Sequence, residues 1–414
     1  MKVRYIYSAC IVVETSDLRI CCDPWFSQGI YDGTWFQYPP VDDPVRAIGA
    51  IQYVYISHIH PDHYDSTFLR KLLNANPECA VLVGSENQEF LVSKMLRDGF
   101  EPVRIQSLTI RDTQIAIFPN YAHSEINIDS ALVVRAGKRS VVNLNDCQFD
   151  KSQVSAVRAF CEGSPDFACL PYAGAGPFPQ MYEFDSPEDQ IAASEGKKEQ
   201  FLNLFGKYLE ELQPRKAMPF AGLYYLGGTL RGKNRFRGVP DALEVKQRFG
   251  PSVVVLSEGN GEIDLSTGEV YRPRVNMYDM VQRDEYLSQY DNVPYPYQKE
   301  ARISSLEIAR LLETAHLRAV SRLKNLPTRS ICFNFGEQEF LCVKSEKPGI
   351  VRVTSNVDDL SEYEIIRIDS RYMYGLLTRK YHWNNAEIGS HFSFYRIPET
   401  YDHRVYDLLN FLHV

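Results

Sequence analysis

The sequence predicts an α/β protein of 414 residues with a smaller α+β unit at its C-terminal end. Three observations carry that expectation. Apolar runs rich in β-branched and aromatic residues, such as Ile51–Ile56 and Gln114–Pro119, stop at polar turns, as buried strands do. Helical periodicity alternates with them, at Ser66–Asn74 and Asn87–Asp98, on either side of a strand at Ala80–Gly84. From about residue 286 the pattern changes: a long helix over Glu300–Asn325 precedes a hairpin, a further strand and two short helices. The expected division is therefore 1–285 for the larger domain and 286–414 for an accessory one.

Composition narrows the class. Hydrophobic residues make up 44% and charged residues 24%, the mix of a soluble globular chain. A formal net charge of −8 argues against broad nucleic-acid binding. Met1–Tyr7 runs straight into a strand pattern without an apolar leader, and no run is long enough to span a bilayer, so a cytoplasmic protein is expected. The nine cysteines are an odd number without Cys-x-x-Cys, which favours free thiols over a disulfide framework. The paired Cys/His motifs that a Rieske cluster needs are not found.

Taken in order, Val3–Val13 and Leu18–Cys22 read as two strands. Asp23 follows, placed to support the next polar turn by hydrogen bonds. The loop from Pro24 to Pro40 mixes aromatics with Gly and Pro, and reads either as a structural rim or as a substrate wall. The strand ending at Ile56 then opens into Ser57-His58-Ile59-His60-Pro61-Asp62-His63. His58 and His60 alternate along extended backbone and point the same way, and Asp62 and His63 approach from beyond the turn. Imidazole and carboxylate at this density suit zinc or iron; the bland alternative is a solvated loop rich in histidine. The Gln114–Pro119 strand runs into Asn120-Tyr121-Ala122-His123; a lone histidine is more often a satisfied surface or core group, but its place just past a strand and downstream of the histidine turn favours His123 as a further ligand. Ser130–Arg135 and Ser140–Leu144 form a hairpin that ends at Asn145-Asp146-Cys147. Asp146 is a carboxylate suited to bridging two metals, or else a turn aspartate, and Cys147 is a small buried residue.

The strand at Ala168–Pro171 opens into a glycine-rich loop, Ala173–Pro179, where Gly174 and Gly176 would let a substrate approach the backbone. Ser186-Pro187-Glu188-Asp189 is a helix start, and the helix runs to about Leu212. Arg231, Lys233, Arg235 and Arg237 then form a basic loop in an acidic protein. It is either a solvated charge run or the contact for an anionic substrate.

The spacing His58-x-His60-x-Asp62-His63 resembles the signature of the metallo-β-lactamase superfamily. That resemblance implies a four-layer αββα sandwich, with His58 and His60 on one metal and Asp62 and His63 on a second. Asn143–Cys147, the Ala173–Pro179 loop, and Leu212–Arg215 followed by Pro219–Gly222 resemble the catalytic region of the CMP-sialic acid hydroxylases and their bacterial relatives. The chain departs from that family in carrying no Rieske segment. It also reads Leu223-Tyr224-Tyr225 where the family tends to carry Ser-His-Pro, so the late histidine is missing there.

The combined expectation is a metal-dependent enzyme with one or two metal ions, iron or zinc. His58, His60 and His123 hold the first metal, and Asp62, His63 and Asp146 complete a second site or its surroundings. Asp62 and Asp146 are the candidate catalytic carboxylates. The substrate is a small, anionic, nucleotide-sugar-like metabolite. Iron-dependent hydroxylation with electrons from a separate protein is the favoured chemistry. Hydrolysis of an ester, lactone, thioester or phosphoester by metal-activated water is the alternative. A non-catalytic, metal-stabilised binding protein is the third reading, disfavoured because the donors match an open site rather than a cysteine cage.

Overall fold

The computed structural model describes residues 1–86, 88–121, 128–274 and 279–414. Two sheets dominate the first two thirds. The larger has eight strands, in the order Val270–Tyr271, Gly261–Asp264, Lys2–Tyr7, Cys10–Glu14, Arg19–Cys22, Tyr53–Tyr55, Ala80–Gly84 and Val103–Ile105. The smaller has six: Lys216–Phe220, Phe167–Pro171, Arg139–Asn143, Ser130–Ala136, Thr113–Pro119 and Ser107–Ile110.

Alternation along these strands builds four layers. Tyr55, Leu82, Ile117, Val134 and Phe167 pack between the two sheets, in one core shared by both. Their neighbours Val54, Val81 and Val83 face the opposite way and cover Leu69, Leu72 and Met95 of the helices Ser66–Ala75 and Glu89–Arg97. On the far side, Val133, Val142 and Leu170 pack on Val157, Phe205 and Val245 of the helices Lys151–Phe160, Pro187–Leu212 and Ala242–Phe249. Helix, sheet, sheet and helix is the αββα order. The strands Arg19–Cys22, Tyr53–Tyr55 and Ala80–Gly84 run parallel, as do Arg139–Asn143, Phe167–Pro171 and Lys216–Phe220. Loops leaving the carboxyl ends of such strands gather at one rim, where open sheets place their sites.

The last hundred or so residues form a five-stranded sheet in the order Val351–Thr354, Phe340–Val343, Ser330–Asn334, Tyr363–Ile368 and Phe392–Ile397. It has its own core with the helices Ser305–Arg322, Ser370–Leu377 and His403–Phe411, centred on Phe333, Ile366, Tyr372 and Leu412.

Several expectations need correction. Val3–Val13 is two antiparallel strands, because the chain turns at Ser8, whose φ is 47° and whose N–H donates to Tyr5 Oη at 2.9 Å. A turn built on Ser8 and Ala9 leaves the apolar pattern unbroken and is invisible to periodicity. Cys332 and Cys342 lie opposite each other on neighbouring antiparallel strands and form a disulfide, against the expectation of free thiols throughout. The polar stretch after His382 forms the short helix Trp383–Ile388, docked by Trp383, which donates its indole N–H to Leu412 O at 2.9 Å.

Candidate metal centre

The rim joins the two sheets through a buried carboxylate. Asp23, fully buried and at φ 40°, follows the Arg19–Cys22 strand. It accepts the Ser57 N–H at 2.8 Å, Ser57 Oγ–H at 2.7 Å and the Asn145 side-chain amide at 2.6 Å; His63 Nδ1 lies 3.1 Å away. Asp23 thus ties the histidine turn to the end of the Arg139–Asn143 strand through these bonds.

The imidazoles fall into a consistent pattern of tautomers. His63 Nδ1–H donates to Asp23, which leaves its Nε2 to hold a proton or a metal ion. His58 Nδ1 lies 3.0 Å from Ser57 Oγ, whose own proton goes to Asp23. His58 Nε2 is then a lone pair, 2.9 Å from His60 Nδ1. His60 Nε2 faces Asn384 at 3.0 Å. The inner nitrogens of His58 and His60 thus face each other, and the tautomer of His60 sets whether a proton lies between them. His63 Nε2 is buried without a hydrogen-bond partner, 3.4 Å from Asp62 Oδ2 and 3.3 Å from Asp146 Oδ2. Donor atoms of His58, His63 and Asp146 all lie within 4.8 Å of one another. A cation among these donors would give the orphaned His63 nitrogen a partner between two carboxylates, so the residues fit a metal ion.

Charge tells the same story. Burial pushes His58 well below its ordinary value, and His63 and His60 push it the same way. Burial also lowers His60. His63 goes the other way: burial opposes its protonation, but Asp62, Asp146 and Asp23 overcome it and hold the ring well above the usual histidine range. Burial works to raise Asp62, and the adjacent His63 and the Tyr31 hydroxyl outweigh it, keeping the carboxylate ionised. The carboxylates around His63 demand positive charge, which a proton or a metal supplies.

Several participants are not evident from sequence. Tyr31 donates its hydroxyl to Asp62 Oδ1 at 2.6 Å, so the aromatic loop is wired into the site. Its ring lies 4.5 Å from Trp35, which stacks on Tyr224 at 3.3 Å and 2°. Asp129 Oδ1 stands 3.7 Å from His58 Nδ1; burial first and the Asp146 charge second push this carboxyl up to about 7. No spacing signal marks either residue. His123 lies outside the described residues, although its flanks Asn120 and Asp129 are joined by a backbone bond of 3.0 Å. Tyr224, in the stretch where the late histidine is missing, has a buried hydroxyl without a partner.

The residues assigned to substrate separate. Arg231 is held by Asp291 through bonds of 2.9 and 2.7 Å. Lys233 and Arg235 belong to the same short helical segment, Gly228–Phe236, and Arg235 lies over Phe236. Arg237 is buried, 3.8 Å from the Tyr224 centroid. Trp35 covers one face of that ring, so the guanidinium takes the other. Its Nε has no partner. Gly174 is required by packing, because a Cβ there would meet Phe201 Cζ at 2.8 Å. The Gly176 carbonyl accepts from Lys197 Nζ at 2.9 Å. Burial and then the neighbouring Arg237 press Lys197 down to about 7. The glycine-rich loop and the end of the basic segment thus meet through Lys197.

Residues 2–183 match the family described as Beta-lactamase superfamily domain. With the four layers, this match gives the part of the protein that carries the rim site the metallo-β-lactamase fold. Beyond the fold, the chain is similar to the cytidine monophosphate-N-acetylneuraminic acid hydroxylase of Pongo pygmaeus, 24% identical over 235 residues, which cover 54% of this chain and 39% of that protein. It is 27% identical over 233 residues to a Mycobacterium tuberculosis (strain ATCC 25618 / H37Rv) protein named, by inference, a Rieske 2Fe-2S iron-sulfur protein, covering 54% of this chain and 44% of the other. The chain thus spans less than half the length of these curated relatives. Among solved structures, an isothiocyanate hydrolase from Delia radicum gut bacteria aligns at 13% identity and TM-score 0.42, over 64% of this chain and 98% of that one. CmlA, a diiron beta-hydroxylase from Streptomyces venezuelae, aligns at 17% identity and TM-score 0.37, over 60% and 51%. Among the described residues, no helix is long and apolar enough to cross a membrane.

Proposed function

We propose that this protein is a metal-dependent enzyme that acts on a small anionic metabolite, and that its chemistry is iron-dependent hydroxylation with electrons from a separate protein. The observation that carries the metal reading is the orphaned His63 Nε2, aimed at Asp62 and Asp146 beside the facing nitrogens of His58 and His60. The hydroxylase named among the relatives supports the choice of reaction.

In this reading His58 and His60, with His123, hold one metal, and Asp62, His63 and Asp146 hold or border a second. When bound, iron would supply oxygen activation, whereas zinc in the same donors would supply an acidified water. The protein's own groups do the rest. Asp23 fixes the tautomers of His58 and His63 through Ser57 and Nδ1. Tyr31 holds Asp62 ionised and oriented, leaving Oδ2 toward His63. Tyr224 and Trp35, stacked on each other, form an aromatic wall beside Tyr31. Arg237 and Lys197, which form no ion pair with a carboxylate among the described residues, offer positive charge to an anionic group beside Gly176.

Metal analysis of anaerobically purified protein, followed by exposure to oxygen with a reducing donor, tests the reading. Bound iron whose spectrum changes with oxygen supports it. Zinc together with turnover of ester or phosphoester substrates would replace hydroxylation by hydrolysis.

A further inference from the structure

Two of the groups in the metal-type cluster are held from outside the sandwich. The Asn384 side chain, on the helix Trp383–Ile388, lies 3.0 Å from His60 Nε2. Its other amide atom lies 3.2 Å from Tyr406 Oη. Further along the same segment, His391 Nε2–H donates to the Tyr31 carbonyl at 2.8 Å, and Tyr31 in turn donates to Asp62. Tyr31 and Asp32 both sit in the left-handed region, at φ 50° and 56°. Side chains rarely rest there unless their surroundings hold them. Tyr372 Oη donates to the Asp32 carboxylate at 2.6 Å, and Trp35 Nε1–H donates to Ile388 O at 3.2 Å. Gly389 allows this approach, since a Cβ there would meet Tyr31 O at 3.0 Å and His391 Cδ2 at 2.9 Å.

The amide orientation decides what Asn384 does. If His60 Nδ1 gives its lone pair to a cation beside His58 Nε2, then His60 Nε2 must carry the proton and donate. Turning the amide by 180° puts Oδ1 on His60 and Nδ2 on Tyr406 Oη, and both contacts remain hydrogen bonds. Tyr406 accepts as readily as it donates, so nothing is left unpaired.

We propose that Asn384 is a positioning residue of the metal site: its side-chain oxygen accepts from His60 Nε2 and so aims Nδ1 inward. The C-terminal sheet and its helices are thereby a working part of the centre, gripping His60 directly and Asp62 through Tyr31. This rests on the metal reading proposed above. The alternative is that Asn384 merely fills space against the ring.

Titration of the full-length, metal-stripped protein with Zn²⁺, and with Fe²⁺ without oxygen, separates these, using a competing chelator to set the scale. Asn384→Leu keeps the volume and removes the hydrogen bond; it is expected to weaken metal binding about 10- to 100-fold, the usual loss when such a support is removed. Asn384→Asp can only accept and is expected to stay within about threefold of the parent. The Leu variant binding as tightly as the parent would overturn the inference while leaving the metal reading intact. A large loss in the Asp variant would show that the amide donates, and would overturn it also. A parent that takes up neither ion would bring down the metal reading and this inference with it. Should the Leu variant fail to fold, Asn384→Ala removes the same hydrogen bond without apolar bulk, and the same loss is expected of it, with parental affinity overturning the inference.

Discussion

Asn145 donates its side-chain amide to Asp23 across 2.6 Å, and this bond fastens the rim of one sheet to the rim of the other. Asn145 itself sits at φ 57°, a conformation asparagine tolerates better than most residues, and its N–H donates to Asn143 Oδ1 at 3.0 Å. Asp146 follows at once, so the register of a metal-type carboxylate depends on a buried bond two sheets wide.

Asp23→Ala is therefore expected to damage the centre without touching it. The change strands Ser57, Asn145 and His63 Nδ1 in a buried place and should destabilise the fold by about 3–5 kcal/mol. Metal retention should fall with it. Chemical denaturation and metal analysis check both, and a variant as stable and as metal-loaded as the parent would remove Asp23 from the account.

Acid should loosen the grip of the C-terminal segment. His391 donates from Nε2, and its Nδ1 is buried without a partner. Burial pushes the ring down to about 4. The sign follows: the unfolded chain takes up a proton near the ordinary value of about 6.5, and the folded chain refuses it until about 4. Stability is thus lost as pH falls through that window, by about 2 kcal/mol at pH 5. Glu387, raised to about 7 by burial and by Glu364, runs the opposite way and loses stability as pH rises toward 7. The comparison that isolates His391 is therefore parent against His391→Gln. Unfolding between pH 7 and 5 should show a smaller acid loss in the variant; parallel pH curves would contradict the assignment.

The basic segment is expected to divide. Arg231 is spent on Asp291, and Arg237 is buried with an unpartnered Nε. Arg237→Gln should raise KM with little change in kcat, as lost uniform binding does. Lys233→Gln and Arg235→Gln should move KM by less than about twofold. A buried cation is poorly screened, so the Arg237 effect should persist from low salt to about 0.5 M. Equal KM values for Arg237→Gln and parent would leave the anionic substrate without a contact here.

The helix Pro187–Leu212 and its Ser186 cap were readable because caps are local: the Ser186 side chain accepts from the Asp189 N–H, as the run Ser-Pro-Glu-Asp announces. The histidine turn was readable because its donors are consecutive. Tyr31, Asp129 and Asn384 were not, because each reaches the site through tertiary contact alone. Tyr31 is 31 residues from Asp62, and Asn384 is 324 from His60. The Cys332–Cys342 pairing was missed for the opposite reason: its partners are close in sequence, but an odd count of cysteines hid a single cross-strand pair. The Trp383–Ile388 helix was hidden by two asparagines, which favour turns until a buried tryptophan pins the segment.

Asp146→Asn should keep the rim intact and still lower turnover strongly, because a neutral amide is a poor partner for cations and for His63 Nε2, 3.3 Å away. Unchanged activity with unchanged metal content would reduce Asp146 to a turn residue.

Metal content per chain in the parent, His58→Ala and His60→Ala, measured by elemental analysis after identical purification, tests the central claim most directly. The inner nitrogens of these two rings face each other at 2.9 Å, and in the proposed set of His58, His60 and His123 removing either leaves two donors, too few to retain that ion. At least one iron or zinc is expected per parent chain, and loss of the metal at that position in both variants, with the apo proteins folded alike. Full metal occupancy in both variants would contradict the claim.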